Sequence, residues 1–344
     1  MPPTALRSHT VTSETDHNLI AMKHPFKVLA GCVAFGIILA VLSDSSRAQE
    51  APRFTALQAL TNREVLLKWS APTGLSYRLD ASTDLVDWAP LTTIATNRSS
   101  ILHTDSSAPF LGRRFYRALQ LTGTNVLTGD YEPTQAGEVV IHPISHATFV
   151  IAWNTNALYV DPPQGGTTWF RGLPSPDLIL ITHSHSDHFD VSTLSAVKGS
   201  NTVIIAPKAV YQLLPKALTN VTTVLTNGAA TALLGLTIDA VPAYNGNHPK
   251  GVGNGYVITI GGRRIYISGD TDDIPEMRAL VGVDVAFVCC DGVYNMSVTR
   301  AASAVRQFRP SVAYPYHYLT ANTTLFKQLV GTDLGIEVRL RKWE

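Results

Sequence analysis

The chain has 344 residues, 45% of them hydrophobic and 15% charged, with a formal net charge of +1. That is length for two domains and apolar material for a sizeable core. With no run of lysine or arginine and almost no net charge, nucleic acid is not expected as a partner, because neutralising phosphates takes a concentrated basic surface.

Residues 1–21 are polar and without pattern, so Met22 is a candidate start. From there, Lys23 and Lys27 precede an apolar run over 28–42, and "SRAQE" offers small residues before a cut after Ala48. Residues 1–48 therefore read as a secretory signal peptide, which predicts a secreted or periplasmic protein. The apolar run, about 15 residues, is short of the ~20 that a spanning helix needs. An uncleaved N-terminal membrane anchor is the alternative. Of the three cysteines, Cys32 leaves with the signal, and Cys289 and Cys290 sit in "VDVAFVCCDG" as two small buried residues of a strand. No disulfide framework or cysteine-rich zinc pattern is present.

Residues 49–121 alternate in strand fashion in "EVLLKWS", "SYRLDAST", "LTTIAT" and "RRFYRALQL", separated by Asn, Gly, Pro and Ser clusters. This spacing predicts a small antiparallel β-sandwich with Trp69, Tyr77, Trp88, Phe115 and Tyr116 as core candidates. The stretch, with its "YRLDASTDLVDWAPL", resembles the fibronectin-type-III-like modules attached to secreted bacterial enzymes. Nothing in it looks catalytic, so its expected role is that of a spacer or of attachment to a surface or polysaccharide. Residues 122–137 read as a linker.

From residue 138 to 344 short apolar strands mix with helices. "VVIHPI", "TFVIAW", "ALYVDPP" and "DLILIT" lead to "THSHSDHFD", and "NTVIIAP", "LTIDAVPAY", "GYVITI", "RRIYISGDT" and "VDVAFVCCDG" read as further strands. "SVTRAASAVRQF" places Val298, Ala301, Ala302, Val305 and Phe308 on one helical face, and "TTLFKQLVG" reads as a second helix. Seven of the eleven histidines lie in this half. His183, His185, Asp187 and His188 follow a strand directly, and strand ends present side chains to a common cleft. Imidazole and carboxylate suit zinc, and also manganese or iron. Asp270 in "SGDT" ends another strand, and His317 in "VAYPYHY" lies just past a third.

These residues resemble the metallo-β-lactamase superfamily, whose H-x-H-x-D-H signature stands here as "HSHSDH" (183–188), with "SGDT" and "PYHY" as its later ligands. The resemblance implies an α/β fold, an αββα sandwich with metals at one edge of its sheets. It also implies two divalent ions, zinc before manganese or iron. His183 and His185 would hold the first, Asp187, His188 and His317 the second, and Asp270 would stand between them. Through "IHPISHATFVI", "LYVDPP", "IYISGDTDDIPEM" and "YNMS" the chain looks closest to the ascorbate-phosphate lactonase and phospholipase-D-like branch. Asp161 would orient a ligand histidine, and His146 would lie behind the ligands, face substrate, or be an ordinary buried polar histidine. A third ligand of the first ion falls on Asn245 or His248, depending on whether "PAYN" or "HPKG" is aligned. Imidazole is the better zinc ligand and favours His248, leaving Asn245 as a supporting contact. The second signature residue is His185, not the glutamate of oxygen-reducing diiron members, and no cysteine ligand accompanies Asp270. Oxygen chemistry and antibiotic hydrolysis are both disfavoured.

The chemistry expected is hydrolysis by a metal-bridging hydroxide, with Asp187 as the catalytic carboxylate, on a small ester, lactone or phosphodiester. No G-x-S-x-G elbow offers a serine nucleophile instead. The competing class is a non-catalytic, metal-containing protein that binds a surface or polysaccharide.

Overall fold

The computed structural model describes residues 52–85, 88–121, 127–135 and 137–343. The expected signal segment lies outside them, and among the described residues no helix is long and apolar enough to cross a membrane. Strands β1 (Arg53–Ala59), β2 (Val65–Ser70), β3 (Ser76–Ser82), β4 (Trp88–Ala95), β5 (Ser100–Asp105) and β6 (Phe115–Leu121) build the N-terminal unit. A sheet of β1, β2 and β5 packs on β4, β3 and β6. Alternation sends Leu67 and Trp69 of β2, Tyr77 and Leu79 of β3, and Tyr116 and Ala118 of β6 into one buried cluster. Phe115 is buried too. Trp88 is only half buried, with the Arg117 guanidinium 4.5 Å from its ring centroid.

The stretch read as a linker contains a strand. β7 (Gly129–Thr134) pairs with β4 on one side and with β8 (Gly137–Ser145) on the other. The two halves of the chain thus share a single ten-stranded sheet. β7 lacks an apolar alternation because its buried residues are Asp130 and Glu132. Their partners come from the C-terminal tail: Arg341 Nε donates to Asp130 Oδ2 at 2.7 Å, and Arg339 pairs with Glu132. Ser106 Oγ donates to Glu337 Oε1 at 2.7 Å, and Lys327 pairs with Glu64, so further polar contacts cross the same boundary.

Beyond β8 the sheet continues through β9 (Thr148–Trp153), β10 (Asn156–Val160), β11 (Leu178–Leu180), β12 (Val203–Ala206) and β13 (Thr222–Val224). Helices α1 (Val191–Val197), α2 (Lys208–Tyr211) and α3 (Lys216–Thr219) cover its outer face, burying Leu194, Val210 and Leu218 against Tyr159, Ile179 and Ile204. The second sheet runs in chain order: β14 (Ala230–Leu233), β15 (Leu236–Ala243), β16 (Gly253–Ile260), β17 (Arg263–Ile267), β18 (Val285–Cys289), β19 (Val312–Tyr316) and β20 (Glu337–Val338). Helices α4 (Pro275–Arg278), α5 (Val298–Phe308) and α6 (Thr323–Val330) pack on it. In α5 the buried side chains include Ala301, Ala302, Val305 and Phe308, the expected face. Cys289 and Cys290 are buried and unbridged.

Between the sheets Phe149 stacks on Phe287 with centroids 4.2 Å apart, and Trp343 meets both rings edge-on. Such aromatic pairs add ~0.5–1.5 kcal/mol to what their buried area supplies. The result is the αββα sandwich, extended at one edge by the N-terminal β unit. Strands β10 to β13 are mutually parallel, as are β17 to β20. Carboxyl ends of parallel strands are where open α/β sheets present ligand groups.

Candidate metal centre

Five strand ends converge on one place. Asp161 follows β10, His183 to His188 follow β11, Asp270 follows β17, Asp291 follows β18 and His317 follows β19. The backbone bends sharply there: Asp161, His317 and His146 have φ of 46°, 44° and 55°. Left-handed backbone costs an L-residue about 1–2 kcal/mol, so the surroundings must hold it. They do so by hydrogen bonds. His317 N–H donates to the His146 carbonyl at 3.1 Å, and His146 N–H donates to the Trp343 carbonyl. Gly269, at φ 59°, precedes Asp270, and a Cβ there would lie 2.9 Å from the Asn254 carbonyl oxygen.

Three overlapping groups of potential ligand atoms result, each within 4.8 Å: His183, His185 and His248; His183, His188 and Asp270; and His146, Asp187, His188 and His317. Asp270 lies between the others. Its Oδ1 is 3.3 Å from His188 Nε2, and its Oδ2 is 3.3 Å from His317 Nε2, 3.5 Å from His248 Nε2 and 4.0 Å from His183 Nε2. Asp187 Oδ2 is 3.5 Å from His317 Nε2 and 3.1 Å from His146 Nε2. His248 Nε2 is 3.1 Å from His185 Nδ1.

The far sides of three rings are occupied. His188 Nδ1 lies 2.8 Å from Asp161 Oδ2, whose carboxylate also accepts from the Thr182 N–H and hydroxyl at 2.7 Å each. His248 Nδ1 is 2.8 Å from Asn245 Oδ1. His317 Nδ1 faces Asp291 Oδ2 at 3.2 Å, out of line for a hydrogen bond. The inner atoms are different: His183 Nε2, His188 Nε2, His317 Nε2 and Asp270 Oδ1 are buried without a hydrogen-bond partner. Four such atoms in one spot would cost several kcal/mol if nothing else met them. A cation meets that need, and this donor set fits one.

Proton affinities divide the cluster. Burial pushes His183 and His248 down, toward the neutral imidazole that a metal requires. Burial also acts against charge on His188, but Asp270 and Asp161 outweigh it and raise the group to about 10. His317 is likewise raised by Asp270 and Asp187 against burial. Burial would raise both carboxyls, yet contact with the imidazoles holds Asp187 and Asp270 far below the carboxylate range.

Comparison with known proteins agrees with this geometry. A model of the β-lactamase superfamily domain matches residues 141–317, more than half the chain. The chain belongs to that superfamily. Superfamily relatives include a metal-dependent hydrolase of Pyrococcus abyssi, 32% identical over 213 residues, 57% of this chain and 93% of that protein. Another is a metal-dependent hydrolase of Thermoplasma acidophilum, 35% identical over 204 residues, 54% and 88% of the two chains. Among solved structures, a protein of Parabacteroides distasonis described as a candidate metal-dependent hydrolase shares 37% identity at a TM-score of 0.59. It covers 64% of this chain and 100% of its own.

All ten residues singled out in the sequence meet at this centre. His248 Nε2 faces His185 and Asp270, and Asn245 stands behind it at His248 Nδ1. His146 reaches Asp187 and lies against His317, ring centroids 3.8 Å apart. Two supporting residues escaped the sequence reading, Asp291 and Thr182. Asp291 carries the signal that marks Asp161, an acid just past an apolar strand, here directly after Cys289 and Cys290. Thr182 had no local signal, since its role depends on Asp161, 21 residues earlier.

Proposed function

We propose that this protein is a hydrolase that holds two divalent ions, zinc first, and cleaves a small ester, lactone or phosphodiester. The observation that carries the reading is the set of buried, unpartnered ligand atoms of His183, His188, His317 and Asp270 facing one another. The residues that would hold the first ion are His183, His185 and His248, and for the second Asp187, His188 and His317, with Asp270 shared. Ions bound there would supply Lewis acidity and a water of lowered pKa, ~7. The names of the relatives, metal-dependent hydrolases, support the same reaction class.

The chain's own residues have three tasks in this reading. Asp161 and Asn245 keep protons on the outer nitrogens of His188 and His248, so that lone pairs point inward. Asp187, its side chain 48% exposed, is the carboxylate open to solvent, and its Oδ2, beside His146 Nε2, can accept a hydrogen bond from a water at the centre. The Trp343 carbonyl accepts from the His146 N–H and so helps hold His146 beside Asp187. The N-terminal unit contributes no ligand and serves as attachment to a surface or polysaccharide, and the signal segment exports the protein.

The test pairs metal analysis with turnover. Purified protein should contain about two equivalents of metal and hydrolyse at least one of a lactone panel, an aryl ester series and a generic phosphodiester. Chelation should abolish turnover and zinc should restore it. A stoichiometrically loaded protein inert toward all three classes would overturn the reading in favour of a non-catalytic binding protein.

A further inference from the structure

A pocket adjoins the centre, with His183, His185, His248 and Asp270 at its polar end. Ala243, Pro249 and Val252 are its apolar lining, and among the described residues no lysine or arginine lines it. The nearest cation in sequence, Lys250, is engaged elsewhere: its ammonium pairs with Glu276 Oε1 at 2.6 Å and lies 4.8 Å from the Tyr244 ring centroid. Asn247 of the pocket bonds to the turn of residues 292–295, where Val293 and Tyr294 are 70% and 57% exposed.

This turn is exposed but not loose. Asp291 Oδ1 accepts from the N–H groups of Val293, Tyr294 and Asn295 at 2.7, 2.7 and 3.2 Å. The Tyr294 carbonyl accepts from Asn245 Nδ2 at 3.0 Å and from Asn247 Nδ2 at 3.3 Å, and Asn247 lines the pocket. Asp291 also faces His317, and Asn245 holds His248. Two apolar side chains are thus held in water on a backbone fixed to supports of both ion sites. Folding has already met the ordering cost that a binding surface otherwise imposes.

We propose that Val293 and Tyr294, on the turn held by Asn247 of the pocket, are specificity-determining residues that receive the apolar part of a substrate whose hydrolysable group sits at the metal centre. This rests on the hydrolase reading and narrows it to acyl or alkyl substrates with no second anionic group. Among the described residues no lysine or arginine of the pocket lining would receive a further anionic group.

The test uses straight-chain alkylphosphonates, methyl to octyl, titrated by calorimetry into the zinc-loaded full chain. Affinity should rise about twofold per methylene, half the effect of complete burial. Val293→Ser combined with Tyr294→Ser should reduce the octyl-over-methyl preference by about tenfold or more, while Val293→Leu preserves it. Metal content reports whether each variant keeps its site. A flat series, no binding up to octyl, or an unchanged preference in the double variant would overturn the proposal. Parallel turnover of aryl esters judges the hydrolase reading separately, since phosphonate selectivity requires no bond cleavage.

Discussion

Replacing Asp161 by asparagine isolates one supporting contact with little change in shape. The side chain is fully buried and its backbone is left-handed, a conformation asparagine tolerates well. One amide oxygen can still accept from the Thr182 N–H. The amide nitrogen then faces Thr182 Oγ1 and His188 Nδ1, both now within 2.8 Å of a carboxylate oxygen. The hydroxyl can rotate to accept, but the ring must give up its Nδ1 proton and carry one on Nε2. That atom lies 3.3 Å from Asp270 and 3.6 Å from Asp187, where the second ion belongs. Loss of such a support weakens metal binding ~10–100-fold, about 1.4–2.7 kcal/mol. Removing one partner of a buried charged pair also lowers the stability of the metal-free protein by about 3 kcal/mol. Competition with a chromophoric chelator should show one weakened site and one of native affinity, and the metal-free melting temperature should fall. Two sites of native affinity in a folded Asp161→Asn protein would refute the assignment of Asp161 as the group that orients His188.

His248→Ala should lose about one equivalent of metal, whereas Asn245→Ala should keep both at reduced affinity; two tightly held ions in the former would reject His248 as a ligand. Asp291 is held at about 2 although burial opposes this, by His317 and the N–H groups of Tyr294 and Val293. A depressed carboxyl contributes its stability above its ordinary 3.8 and loses it as pH falls toward 2, so Asp291→Asn should flatten the acid limb of stability against pH. A chain starting at Gly129 should fold and load metal, because every ligand lies beyond it, but should melt lower than the full chain once β7 loses β4; a soluble product without metal would contradict this. Export from a Gram-negative host should leave an N-terminus near Gln49 by mass spectrometry, and an intact start in the cytoplasm would count against a signal peptide.

What could be read from the sequence follows from how locally each feature is encoded. His183 to His188 fall within one loop after one apolar strand, so their chemistry shows in nine letters. Asp270 and His317 show because each ends its own strand. The hidden features depend on distant partners. β7 looked like a linker because a strand that buries Asp130 and Glu132 shows no apolar alternation. Those acids are acceptable inside only because Arg341 and Arg339 arrive more than 200 residues later. The left-handed backbone of His146 is equally hidden, since its N–H is met by the carbonyl of Trp343 near the far end of the chain.

The shared sheet bears on how such a protein can be rebuilt. Among the described residues β7 meets β4 through two residue pairs, Thr92 with Asp130 and Thr93 with Gly129. At Gly129 any Cβ would lie 2.1 Å from the Ile141 carbonyl oxygen. A graft that replaced the N-terminal unit would have to bring a strand that fits this narrow seam without disturbing Gly129, which already packs closely on β8. Otherwise β7 becomes a bare edge, open to pairing with another molecule. The unit is therefore not an interchangeable cassette, and fusions that treat it as one should be screened first for self-association.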